Sequence, residues 1–134
     1  DFRAATFFGS STEPLKFEPS TVWRARVDLA AFKFADISET SFAEMVNLDQ
    51  SFADATTKLP IGFTRPCQWA REEEGALSDE KFFGRWRGWL LASGEENAEE
   101  IVHFASKSNY PAIPPPAGCV PGAEQPLSTP QPGG

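Results

Sequence analysis

The sequence predicts a small α+β domain, with a short antiparallel sheet packed by one or two helices and an extended Pro-rich C-terminal tail. Three observations support this fold class. Apolar and polar residues alternate over residues 23–31, as in a half-buried strand. A Ser-x-x-Glu pattern at Ser41 and Glu44 precedes a stripe of apolar residues at helical spacing. Eight of the twelve prolines lie in residues 111–134. We therefore expect a compact domain over residues 1–110 and a tail over residues 111–134.

The alternating segment predicts the first clear strand. Arg24, Arg26 and Asp28 separate apolar residues from Trp23 onward. The alternation changes phase at Ala30, which indicates a bulge or a bend. A helix over residues 23–34 is the alternative, because four apolar residues there also fall on one helical face.

The second element is predicted to be a helix over residues 42–57. The preceding Ser-x-x-Glu pattern is typical of a capping box, and Pro60 disfavours helical geometry at the residue before it. Its apolar stripe consists of Met45, Leu48, Phe52, Ala55 and Leu59.

Residues 60–78 are expected to form a loop with a short helical turn near residues 68–74. The segment over residues 82–92 fits either a helix or a strand. Because Gly84 and Gly88 would each cost a helix interior about 1 kcal/mol, we favour a strand there. Residues 98–106 then form either the second strand of a hairpin or a helix capped by Ser93 and Glu96, and we favour the helix.

The net charge argues against a nucleic-acid partner, and the hydropathy argues against a membrane-spanning segment. The formal net charge is −7, which argues against nucleic-acid binding because phosphate contacts require a basic face. No stretch approaches the roughly 18 apolar residues of a membrane span. Peripheral association with a membrane remains open, and the sequence assigns no compartment.

The two cysteines, Cys67 and Cys119, leave two outcomes open. The absence of a Cys-x-x-Cys pair excludes a cysteine metal knuckle. Either the two form one disulfide that joins the tail to the domain, which implies an oxidising compartment, or both are free thiols.

The usual proton-handling residues are scarce, with one histidine and one tyrosine, Tyr110. The chain has a single histidine, His103, and Cys67 lies two residues from Arg65. Catalysis or metal binding needs convergent partners that no local spacing supplies here. We therefore predict no catalytic residue, no metal ligand and no cofactor.

Two segments are predicted to contact other chains. One is the basic and aromatic cluster of residues 85–89, since Arg and Trp are enriched in interfaces. The other is the tail, whose composition favours an extended polyproline II conformation held against its own domain or against a partner. The predicted contact residues are Arg85, Trp86, Arg87, Trp89, Ile113, Pro114, Pro115, Pro116, Val120 and Pro121.

These observations predict a non-catalytic accessory or structural subunit of a larger protein assembly. It would bind neighbouring protein subunits through the Pro-rich tail and the Arg/Trp cluster. The alternative is a small module that binds an apolar ligand or pigment, because the chain contains four Trp and twelve Phe residues that could line a pocket.

Overall fold

Short strands form the first half of the domain and two helices the second half. The computed structural model describes residues 5–17, 25–39, 45–106 and 110–119. The strands are β1 (Thr6–Phe8), β2 (Leu15–Lys16), β3 (Ala25–Arg26), β4 (Ala31–Lys33), β5 (Ala35–Asp36), β6 (Met45–Val46) and β7 (Phe52–Ala53). The helices are α1 (Asp79–Ala92) and α2 (Ala98–Ser106), and two short 3-10 helices cover Leu48–Gln50 and Glu72–Glu74.

The strands pair in parallel, and the two strands of each pair lie 20 to 25 residues apart in the chain. β4 lies between β1 and β7, with Thr6 opposite Ala31 and Ala31 opposite Phe52. β2 pairs with β5 and β3 pairs with β6, each at an offset of 20 residues. Because the chain returns in the same direction after each circuit, the described strands form a short parallel β-solenoid.

Apolar side chains from successive coils stack inside the solenoid. Val27, Phe32 and Ile37 follow one another at five-residue intervals and are all fully buried. Phe32 is paired with Phe7 in the coil on one side, and the two rings stack at a centroid distance of 5.0 Å. This interior core consists of Phe17, Val27, Ala30, Phe32, Ala35, Ile37, Leu48, Ala53 and Trp69.

A second core joins the outer face of the β1–β4–β7 sheet to the helices. The ring of Phe82 in α1 lies 5.2 Å from that of Phe52 and 5.5 Å from that of Phe8. The indole Nε1 of Trp86 donates to the backbone oxygen of Leu29 at 3.0 Å. These contacts fix α1 against the solenoid.

The loop after the last coil covers the end of the solenoid. Gln68 Nε2 donates to the backbone oxygens of Asp49 and Ser51 at 2.8 and 2.9 Å, and Trp69 Nε1 donates to that of Ser51 at 2.7 Å. Buried carbonyls at a sheet edge need such partners. The cap therefore fixes the path of the chain as it leaves the solenoid toward α1.

The predicted antiparallel sheet is wrong, because the strand pairs of the described residues are all parallel. Alternation of apolar and polar residues reports that a strand is half-buried, but it does not report the direction of its neighbour. The spacing of five between Val27, Phe32 and Ile37 is the signal in the sequence that indicates a coil.

The predicted strand over residues 23–31 is interrupted by a corner. β3 ends at Arg26, a turn includes Leu29 with a φ of 66°, and β4 begins at Ala31. This corner accounts for the change of phase at Ala30. The alternative helix is wrong over residues 25–34, and residues 23 and 24 lie outside the described residues.

The predicted helix over residues 42–57 is also wrong. Asn47 has a φ of 64°, in the left-handed region that interrupts a right-handed helix, and β6 and β7 flank it. Leu48 packs in the interior core, whereas Phe52 packs in the outer core. The apparent stripe therefore contains residues of two opposite faces. Ser41, Phe42 and Glu44 lie outside the described residues.

The second half of the chain is closer to prediction. Residues 60–78 form the predicted loop with a short helical turn at Glu72–Glu74, and the helix over 98–106 is confirmed as α2. The strand favoured over 82–92 is wrong, because this segment lies in α1 despite its two glycines. No helix of the described part is long and apolar enough to cross a membrane.

Candidate functional site

The segment that we call the strap consists of residues 110–119, the described residues after α2. It packs along α1. Ile113 N donates to the backbone oxygen of Gly84 at 2.9 Å. The ring of Tyr110 stacks on that of Phe83 at 5.8 Å, and the backbone oxygen of Tyr110 accepts a hydrogen bond from Arg87 at 2.6 Å. The beginning of the predicted tail therefore lies on its own domain, and residues 120–134 lie outside the described residues.

Gly84 and Gly88 allow the strap to approach the helix backbone. A Cβ atom on Gly88 would lie 1.9 Å from the backbone oxygen of Ile113, and one on Gly84 would lie 2.6 Å from that of Pro111. Neither distance is compatible with a side chain, so only glycine fits. The close packing of the strap offsets the helix-propensity cost that led us to favour a strand here.

Gly88→Ala is expected to displace the strap and to lower the free energy of unfolding by about 2 kcal/mol, as overpacking does. Alanine would otherwise stabilise a helix by about 1 kcal/mol, so a loss identifies the strap contact. Urea unfolding measures the change. Leu91→Ala, at a half-exposed position of α1, is the control and should lose less. Stabilisation by Gly88→Ala would contradict the strap packing.

A disulfide fixes the far end of the strap. Cys119 is bonded to Cys67, with their Cα atoms 5.6 Å apart. Cys67 is buried in the loop that covers the last coil, and Cys119 is half-buried. The strap is thus held at one end by Tyr110 and at the other by the disulfide.

A groove of about 420 Å³ lies between the strap, α1 and the loop after the last coil. On α1, Lys81 and Arg85 are four residues apart and therefore lie on the same side of the helix. The N-terminus of α1 is fixed by Ser78, whose hydroxyl accepts a hydrogen bond from Lys81 N. The lining residues are Cys67, Trp69, Arg71, Glu74, Lys81, Arg85, Ile113, Pro114 and Pro116.

The charges of the groove are locally positive. Three of the twelve Lys and Arg residues of the chain line it, against one of the nineteen Asp and Glu residues. Arg85 Nη1 donates to Glu74 Oε1 at 2.8 Å, and Arg71 lies 3.7 Å from Glu73. Lys81 is exposed and has no ion pair within the described residues. The groove therefore combines apolar strap residues with a cationic wall.

Glu74 joins the loop to α1 and has a perturbed acidity. Burial raises its pKa, but the hydrogen bond from the backbone N–H of Arg71 and the charge of Arg85 outweigh burial. The net result is a pKa below the ordinary value of a glutamate. A carboxylate with a lowered pKa stabilises the folded state at pH values above its unfolded pKa.

Glu74→Gln should therefore destabilise the protein near neutral pH and have little effect in acid. The difference in unfolding free energy should be fully present above the ordinary Glu pKa of about 4.3, and it should disappear as the pH falls through the lower pKa of the folded state. Urea titrations between neutral pH and about pH 3 measure it. Glu80→Gln, which removes an exposed carboxylate in the first turn of α1, is the control. A pH-independent difference would contradict the assignment.

Four of the predicted contact residues meet in the groove, namely Arg85, Ile113, Pro114 and Pro116. Pro115 is half-buried in the strap and does not line the groove. Arg87 does not line the groove. Its Nη2 lies 2.6 Å from Glu99 Oε1. Val120 and Pro121 lie outside the described residues.

Trp86 and Trp89 are not on the surface. They are 0% and 1% exposed and belong to the outer core. Because residues 79–92 form a helix, both tryptophans fall on the face that packs against the sheet and α2. Contrary to the prediction, Trp86 and Trp89 therefore do not form part of a contact surface.

The sequence did not single out Arg71 and Glu74. Their position depends on the cap made by Gln68 and Trp69, which is a tertiary feature. Lys81 was detectable, because a helix beginning after Ser78 places it beside Arg85.

The remaining surface offers a second cleft, of about 590 Å³, between α2 and the start of β1. It is lined by Ala5, Thr6, Asn97, Glu100, Ile101, Phe104 and Ala105. None of the predicted contact residues lines it. His103 is exposed on α2, and no group of three or more His, Cys, Asp or Glu within the described ranges is placed to hold a metal ion.

No protein-family model matches this chain, and the searches of curated proteins and of solved structures give no significant match either.

Proposed function

We propose that this protein is a non-catalytic accessory subunit that binds a neighbouring protein chain through the groove beside the strap. The observation that carries the proposal is the convergence of Arg85, Ile113, Pro114 and Pro116 on that groove. These residues come from two segments that the sequence separates by more than twenty positions. The proposal replaces the Arg/Trp cluster as the contact surface, because its two tryptophans are buried.

The attachment of the strap to its own domain supports this function. The strap is attached by the Ile113–Gly84 hydrogen bond and by the Cys67–Cys119 disulfide. A binding surface that is already ordered loses less conformational entropy when a partner docks. Arg85 and the apolar strap residues also match the composition of interface cores, where Arg and apolar side chains are enriched.

The alternative, an apolar ligand or pigment among the aromatic residues, stays a prediction without an observation in its favour. Within the described residues the rings of both cores pack on each other, as Phe82 does on Phe8, Phe52 and Phe83. Among the described residues that line the groove, Trp69 is the one aromatic residue.

The test is the hydrodynamic mass of the protein isolated from its natural source without denaturation, compared with the same chain expressed alone. We expect the natural form to be larger than a single chain. Lys81→Glu, introduced into the natural gene, should shift it toward the mass of the free chain. Lys58→Glu, an equal charge change at an exposed solenoid position, should not. A natural form that has the mass of the free chain would contradict the proposal.

A further inference from the structure

We infer that the groove binds a short acidic segment of the partner protein that also carries an apolar side chain. This inference rests on the proposed function and names the chemistry of its partner.

The first argument is charge complementarity. Arg71, Lys81 and Arg85 line the groove against Glu74, and Glu73 lies 3.7 Å from Arg71. Three cations against two carboxylates leave a local excess of one positive charge, in a chain whose net charge is −7. An acidic partner is repelled by most of such a surface and is attracted at a locally positive groove, which gives specificity for that site.

The second argument is the hydrogen-bonding capacity of these cations. Arg85 uses Nη1 to bind Glu74, and a guanidinium carries five N–H donors. Arg71 lies 3.7 Å from Glu73, too far for a hydrogen bond. Lys81 has three ammonium donors and no ion pair within the described part of the chain. Incoming carboxylates therefore find donors on all three side chains.

The third argument concerns the opposite wall, which is apolar. Ile113 is half-buried, whereas Pro114 and Pro116 are exposed. A proline has no backbone N–H, so this part of the strap cannot pair with an incoming strand through a regular ladder. We therefore expect the partner segment to bind mainly by side chains, with an apolar group on the strap and carboxylates on the helix.

The test is a selection of short random peptides on the whole disulfide-bonded chain, without any counter-selection. Fluorescence polarisation then measures the dissociation constants of the enriched peptides. We expect acidic sequences with at least one apolar residue. Lys81→Glu should weaken them about fivefold or more, since an attraction becomes a repulsion. Lys58→Glu should leave them nearly unchanged.

Two further measurements test the contribution of charge. Replacing each Glu or Asp of an enriched peptide with its amide should weaken binding by a similar factor. Raising the salt concentration from about 0.05 to about 0.5 M should also weaken it, because salt screens exposed charges. Urea unfolding of both lysine variants shows whether they fold like the natural protein.

Three outcomes are distinguishable. Acidic peptides that depend on Lys81 support the inference. Neutral or basic peptides that depend on Lys81 overturn the inference and leave the groove as a protein-binding site. If no enriched peptide depends on Lys81, the inference is overturned, and the proposed function is decided separately by the mass of the natural protein.

Discussion

Removal of the disulfide by Cys67→Ser and Cys119→Ser is expected to lower the free energy of unfolding by about 4 kcal/mol. The bond joins residues separated by 52 positions, and its loss restores the conformational freedom of that loop in the unfolded chain. Small domains have total stabilities of about 5–15 kcal/mol, so this is a large fraction. Urea unfolding under non-reducing conditions measures the change.

The same pair of variants should release the strap before the rest of the fold. Amide exchange at Ile113 should become faster, whereas exchange at Phe32 inside the solenoid should change much less, since strap opening is a local event. Adding a dithiol reductant to the natural protein should reproduce the effect and should do nothing to the double variant. Unchanged stability and unchanged exchange at Ile113 would show that the disulfide does not hold the strap.

Asp54→Ala is expected to lower the free energy of unfolding by about 3–4 kcal/mol, because buried donors would lose their acceptor. Asp54 is fully buried beside β7. One carboxylate oxygen accepts hydrogen bonds from the backbone N–H and hydroxyl of Thr56, and the other accepts one from Leu77 N at 3.0 Å. Asp54 thereby connects the last coil to the segment that leads into α1.

Asp49→Ala is the matched control, because the Asp49 side chain is exposed in the same part of the chain. A surface substitution of this kind changes stability by about 0.5 kcal/mol or less. Asp54→Asn should lie between the two, since it keeps the shape and one of the two acceptor oxygens. Equal losses for Asp49→Ala and Asp54→Ala would contradict the role of the buried carboxylate.

In the first half of the chain, the sequence indicates which residues are half-buried strands but not how those strands pair. The alternation over 23–31 indicated a half-buried strand, and residues 25–26 and 31–33 are indeed strands. Their partners lie 20–25 residues away in the chain, and local alternation carries no information about such distances. The interval of five between Val27, Phe32 and Ile37 was available, and it indicates the coil.

The error in α1 has a different origin. Local propensity correctly assigns a cost to Gly84 and Gly88, but the strap that compensates this cost arrives from residues 110–119. A contact between segments so far apart in sequence is invisible to a local reading. The helix at 98–106 could be predicted from its local apolar spacing, whereas Ser93, which we expected to cap it, lies at the C-terminal end of α1.

The candidate site was partly predictable for the same reasons. Arg85 and the residues Ile113, Pro114 and Pro116 could be selected by composition, because Arg and Pro-rich segments are common in recognition. Arg71 and Glu74 reach the groove through the cap over the last coil. The burial of Trp86 follows from the helical geometry that the sequence left ambiguous.

The most direct test of the groove as a protein-binding site is photo-cross-linking in the organism that makes the protein. A photoreactive amino acid replaces Pro114 in the groove or, in a second variant, Ile61, which is 98% exposed and does not line the groove. We predict that the variant at position 114 cross-links to one partner protein, identified by mass spectrometry, and that this product is lost with Lys81→Glu. The variant at position 61 should not form it. Equal cross-linking from both positions, or none from position 114, would contradict the proposed function.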